Sequence, residues 1–239
     1  MITGMLVGLI FLLAGLIQGL TGFGSALVAM PLLCLLVDIK IAVPLCMLNS
    51  IVITTTLAFQ LKKDVDLKKI APLCISAIPG IVVGSTLLST VDSNIMRVAL
   101  GIFLVTYSIY SLVAKPRQRD LHYSWSLVAG FSSGAIGAAF SAGGPPAIIY
   151  AMMNKWSKNE IKATLTGFFM VNSYLVVAVH GVTGVTTKQA LLLFIASAPF
   201  VLAGTFGGSY LYRYLPEKNY VWLIFIFLII MGAMMMFGM

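Results

Sequence analysis

The chain has 239 residues, of which 60% are apolar and only 9% charged, with 15 Lys and Arg against 7 Asp and Glu for a net charge of +8. A soluble domain carries about 25% charged residues, so this chain cannot cover its own surface with polar groups and is read as a polytopic membrane protein. The mean hydropathy of +1.03 also excludes disorder, and Lys and Arg fall in short groups between apolar runs, so the basic excess reads as a topology signal and no nucleic-acid partner is expected.

In chain order, apolar runs occupy 3–37, 41–61, 70–89, 96–114, 123–153, 161–181, 189–211 and 219–238. The start, Met1-Ile2-Thr3-Gly4, has no basic region and the first run continues well past signal-peptide length, so it is expected to remain as a membrane element. Six runs have the ~20 residues that a spanning helix needs, but 3–37 and 123–153 are too long for one helix. Both hold glycine-rich breaks: Gly15 to Ser25 in the first, and Gly130 to Gly137 followed by Ser141-Ala142-Gly143-Gly144-Pro145-Pro146 in the second. Each long run is therefore expected as two shorter pieces, either short helices or a re-entrant hairpin. Cys34, Cys46 and Cys74 lie in apolar runs without metal or redox spacing and read as structural thiols. All seven acids fall at segment ends or in loops, and His180 is expected as an interfacial, hydrogen-bonded histidine.

Charge parity supports the two breaks. Eight simple crossings divide the Lys and Arg 8 to 7, which is no bias. If each broken run enters and returns, one face holds four from 62–69, three from 115–119, Lys155, Lys158, Lys162, Arg213 and Lys218, twelve in all, against Lys40, Arg97 and Lys188. That bias is what the positive-inside rule expects, with both termini outside. The halves also resemble one another: Gly15, Gly19, Gly22 and Pro31 match Gly130, Gly134, Gly137 and Pro146 at a spacing of 115, Val65, Lys68, Pro79 and Gly84 match Val185, Lys188, Pro199 and Gly204 at 120, and Asn49-Ser50 matches Asn172-Ser173 at 123. The expected architecture is all-α, with two inverted-topology repeats at 1–118 and 119–239, each a broken glycine-rich segment plus three spanning helices. Inverted repeats with interrupted helices are a mark of secondary transporters, whose site forms where the broken segments meet. Unwound backbone survives at membrane depth only when packed in protein or lining a wet cavity.

The runs GLIQGLTGFGSALVAMPLL and GFSSGAIGAAFSAGGPPAIIYAM, with the two-half layout, resemble the TauE/SafE sulfite exporter family, also called the toluenesulfonate uptake permease family. The resemblance covers nearly the whole chain. It implies an integral plasma-membrane permease for a small sulfur-containing anion such as sulfite, a sulfonate or sulfoacetate, often in export, and the inverted repeat adds the expectation of alternating access.

Such an anion suits the breaks. A helix N-terminus carries unpaired amides and about half a positive charge, and one is expected after Gly22-Phe23-Gly24-Ser25 and another near Pro145. The expected anion cage comprises Gln18, Gly19, Thr21, Gly22, Gly24, Ser25 and Asn49 from the first half, with Ser133, Gly137, Ser141, Gly143, Gly144, Pro145 and Asn172 from the second. The glycine pairs Gly80/Gly84 and Gly204/Gly208 read instead as helix-packing steps. The expected partners are the anion, the bilayer and further copies of the chain in a homo-oligomer; no cofactor, metal or catalytic residue is expected. Two alternatives stand beside this reading: a carrier of another small anion or solute, and an intramembrane enzyme built on the G-x-S-x-G match at Gly130 to Gly134, which lacks the strand-to-helix context of that motif.

Overall fold

The computed structural model describes residues 2–61, 66–114, 119, 121–212 and 218–237. Within them the chain is all-helical, in ten helices: α1 (Ile2–Thr21), α2 (Ser25–Leu33), α3 (Ile39–Leu61), α4 (Leu67–Thr90), α5 (Ser93–Val113), α6 (Ser124–Phe140), α7 (Gly144–Met153), α8 (Lys158–Val182), α9 (Lys188–Leu211) and α10 (Lys218–Phe237). Six of these, α1, α3, α4, α5, α8 and α9, are long and apolar enough to cross a membrane. The chain is a multi-pass membrane protein.

The acids explain where several helices begin. Asp66 accepts from the Lys68 N–H at 2.9 Å and Asp92 from the Asn94 N–H at 2.8 Å, each capping a helix start. Ser157 and Glu160 form a reciprocal capping box on α8, and Glu160 also accepts from Lys69 Nζ at 2.5 Å. These short polar side chains satisfy amides that apolar residues would leave orphaned. Asp64, Asp120 and Glu217 lie outside the described residues, as do Lys62, Lys63, Val65, Lys115, Arg117 and Arg213.

Helix packing is set by glycine. A Cβ on Gly80 or Gly84 of α4 would run into the carbonyl oxygens of Phe131 or Ala135 on α6, and one on Gly204 or Gly208 of α9 into those of Leu12 or Leu16 on α1. Gly130 and Gly134 return the contact against Leu73 and Ala77, as Gly15 and Gly19 do against Val201 and Thr205. Backbone touches backbone along both pairs, the close approach that small-xxx-small spacing allows. The pairs α1 with α9 and α4 with α6 are the most extensive in the fold; α3 packs against α8, and α5 against α10.

The breaks are narrower than the glycine content suggests. Gly15 and Gly19 sit inside α1, which runs 20 residues unbroken, and Gly130, Gly134 and Gly137 all sit inside α6. The first long run is thus a span-length helix followed by a nine-residue one, rather than two short pieces. Helical glycines facing a neighbouring backbone serve the packing. Within these two runs the helix ends at left-handed residues, Gly22 (φ 84) and Gly24 (φ 93) in the first and Ser141 (φ 57) in the second.

The bundle has two distinct ends. At one, Lys69 meets Glu160, the Arg119 N–H donates to the Met153 carbonyl at 2.7 Å, and the Lys162 ammonium stands 3.7 Å from the Tyr212 ring centroid. At the other, Ser93 Oγ donates to Asp38 at 3.0 Å and Lys40 Nζ to the Ser89 carbonyl at 3.3 Å. Trp156 lies at the first end, edge-on to Tyr150 and beneath the Lys69 ammonium at 4.9 Å.

His180 is hydrogen-bonded, as expected, but lies inside the bundle. It is fully buried, at 0% exposure, with Nε2 3.2 Å from the Ala138 carbonyl and Nδ1 unpartnered. Its place near the end of α8 put it at an interface by counting residues, but α6 covers it.

Candidate functional site

The two breaks meet. A cavity of about 60 Å³ lies between Gln18, Gly24, Ser25, Ala26 and Leu27 on one side and Ser141, Ala142, Gly143 and Gly144 on the other, with Met47, Ser50 and Thr54 of α3 and Phe169, Asn172 and Ser173 of α8 completing it. One water needs about 10–15 Å³ by such a measure, so the space suits a small ion and its partners. None of the lining residues carries a formal charge.

The α2 end supplies donors. Gly24 caps the helix in a left-handed conformation without any side-chain cap, and the first amide in the helical ladder is the Val28 N–H, which donates to the Gly24 carbonyl at 3.3 Å. The amides of Ser25, Ala26 and Leu27 therefore have no acceptor within the helix, and all three residues line the cavity. Ser25 Oγ donates to Gln18 Oε1, which locks both side chains across the break.

The α7 end is built differently. Pro145 and Pro146 follow Gly144 in its first turn and carry no N–H. The next amide, Ala147, donates to Ser133 Oγ at 3.0 Å. What this side offers is a pair of buried side chains, each residue only 5% exposed: Asn172 Oδ1 has no hydrogen-bond partner, and Ser141 Oγ has none but the weak Cys46 thiol beside it. A buried polar atom without a partner costs about 1–3 kcal/mol, and two residues of this kind beside one cavity mark a place where a small side-chain turn lets a ligand or water complete the bonding.

Seven of the residues expected in the cage line this cavity: Gln18, Gly24, Ser25, Ser141, Gly143, Gly144 and Asn172. The other seven lie close by in different settings. Gly19 packs against the Thr205 and Ser209 backbone, and Gly137 sits behind Asn172, where a Cβ would stand 3.2 Å from Nδ2. Asn49 donates to the Leu45 carbonyl and to Ser197 Oγ, both at 3.0 Å. Ser133 holds the first turn of α7, and Pro145 forms part of that turn. Thr21 and Gly22 line a second, larger cavity.

Ser50, Thr54 and Ser173 are lining residues that the sequence reading passes over, with Thr54 Oγ1 3.4 Å from Ser173 Oγ. The signal was present in the matched dipeptides Asn49-Ser50 and Asn172-Ser173. Choosing the amide in both left out Ser50, which shares a helix face with Thr54 four residues on. The Gly130 to Gly134 run, by contrast, lies within continuous α6, so it lacks the sharp turn that exposes a nucleophilic serine.

No curated protein and no solved structure matches the chain. The family model described as sulfite exporter TauE/SafE matches residues 7–235. With that match over nearly the whole of an all-helical, multi-pass chain, the protein belongs to the TauE/SafE sulfite exporter family of membrane transporters.

Proposed function

We propose that this protein is a secondary permease that exports a small sulfur oxyanion, sulfite first, held in the cavity between the breaks. The single observation that carries this reading is the uncharged, 60 Å³ space lined by the three α2 residues whose amides have no acceptor within the helix and by the buried Ser141 and Asn172. Amides and the positive end of a helix hold an oxyanion without a fixed cation. A neutral cage also releases its ion, which a carrier must do. Rotation of the Asn172 amide brings its NH₂ to the anion. The small volume favours sulfite over an arylsulfonate.

Repeats at 1–118 and 119–239 of opposite orientation account for the packing: exchanging each helix for its counterpart five places along converts the α1 to α9 contact into that of α6 with α4 and leaves α3 on α8. The Arg119 to Met153 hydrogen bond brings the chain before α6 to the end of α7, which favours a re-entrant reading of that segment. Rocking one repeat against the other would expose the cage to each side in turn. With the basic loops in the cytoplasm and both termini outside, a plasma membrane 100 mV negative inside favours loss of each negative charge by about 2.3 kcal/mol, enough to drive export.

The test is sulfite, sulfate and toluenesulfonate flux from proteoliposomes carrying wild-type protein or a folded Gly24→Leu, Gly144→Leu double variant. Saturable sulfite flux lost in the variant supports the cage. No flux of sulfite in the wild type under either polarity of gradient would remove sulfite as substrate and send the search to other small solutes.

A further inference from the structure

A second cavity, of about 400 Å³, lies on the far side of the first break. Thr21, Gly22 and Phe23 line it, whereas Gly24 and Ser25 line the small cavity, so consecutive residues form the two faces of one partition. Helix α7 continues that wall, with Gly144 on the small cavity and Ile148 on the large. The large chamber stands at the bundle end that carries Lys69 and Arg119: Lys162, in the first turns of α8, and Tyr212, just beyond α9, both line it.

The partition is built to move at one residue. Phe23 sits between Gly22 at φ 84 and Gly24 at φ 93, so the peptides on either side can rotate without a Cβ penalty and swing the ring while α1 and α2 stay in place. The Thr21 hydroxyl holds the present position. It receives the Phe23 N–H at 3.2 Å, contacts the Phe23 carbonyl, and is itself tied to the Ile17 carbonyl at 2.8 Å. The Phe23 ring packs against the core cluster that contains Ile148 and Leu165, two residues that also line the chamber.

The geometry points to the large chamber as the antechamber of the anion cavity, with Phe23 as the gate between them. This deepens the export reading, on which it rests: an anion leaves the cage toward this end only when Phe23 swings aside.

Thiol accessibility tests it without any transported substrate. In the intact chain with Cys34→Ala, Cys46→Ala and Cys74→Ala, Ser111→Cys reports the chamber and Ser173→Cys the small cavity. The probe is a membrane-impermeant methanethiosulfonate carrying a sulfonate, applied from the face of Lys69 and Arg119. Ser111→Cys is expected to react readily. Ser173→Cys is expected to react slowly and to gain at least about tenfold in rate when combined with Phe23→Ala, with Phe23→Leu intermediate. Variants are compared only where they elute as monodisperse protein, and Phe23→Leu serves if Phe23→Ala does not fold. A Ser111→Cys thiol that reacts with a lipid-soluble maleimide but not with the impermeant reagent would make the chamber a lipid-filled recess and overturn the proposal. So would a Ser173→Cys rate that is indifferent to Phe23. Neither readout involves sulfite, so a chain that shows gated labelling without sulfite flux refutes the substrate and keeps the gate, while sulfite flux with ungated labelling does the reverse.

Discussion

Ser141 and Asn172 each bury a polar atom, of which Asn172 Oδ1 finds no partner within the protein and Ser141 Oγ none but the weak Cys46 thiol. If an oxyanion occupies the cavity, the Ser141 hydroxyl and, once its amide is turned, the Asn172 NH₂ each donate to a charged acceptor, an interaction of about 1.5–3 kcal/mol. Ser141→Ala and Asn172→Ala should therefore raise the sulfite KM about ten- to hundredfold while leaving the thermal midpoint near wild type. A KM shift under about threefold in both would take them out of the cage. Gly24 separates backbone from space: its φ is 93, and a Cβ there meets nothing within 4 Å. Gly24→Asn should fold near wild type because Asn tolerates the left-handed region, whereas Gly24→Val should lose about 1–2 kcal/mol or more of stability. Equal thermal midpoints for the two variants would show that the turn relaxes. The glycines at this break were legible as an interruption. Which of them carry positive φ was not, because packing glycines and turn glycines share one letter.

Elements were the most readable scale. The six ordinary apolar runs agree with α3, α4, α5, α8, α9 and α10 to within a few residues, since a charge-poor stretch of ~20 residues has few other ways to satisfy its backbone in lipid. Both long runs break, but over fewer residues than their glycines suggest, because a glycine against a neighbouring carbonyl leaves its own helix intact. That distinction is testable on adjacent residues of α9. Gly208 would drive a Cβ into the Leu16 carbonyl, while Gly207 has nothing within 4 Å. Gly208→Ala should cost about 1–3 kcal/mol or more by overpacking, seen as a lower thermal midpoint or poor assembly. Gly207→Ala should be neutral or gain up to about 1 kcal/mol from helix propensity. Similar losses in both would attribute the effect to glycine content rather than to the α1 contact.

At the scale of the whole molecule, the basic groups are expected to set the orientation, with both termini outside. Alkaline phosphatase fused to either terminus should be active and green fluorescent protein dark, and a cysteine placed at Lys188 should label from the side opposite one placed at Lys155. Termini found on opposite sides would remove the two-hairpin topology and with it the inverted repeat. Composition and the apolar runs by themselves determined that this is a polytopic helical membrane protein, where its spans lie and that two segments break, because those properties follow from local hydropathy and from glycine and proline placement along the chain. The glycine and proline motifs were enough to identify the family. Tertiary structure alone decided that the breaks face one small cavity, that Ser50, Thr54 and Ser173 join it while Asn49 turns to Ser197, and that Thr21, Gly22 and Phe23 line a second, larger one. Those outcomes depend on how helices far apart in sequence rotate about their axes when they pack, and with 3.6 residues per turn a single-residue step swings a side chain by about 100°.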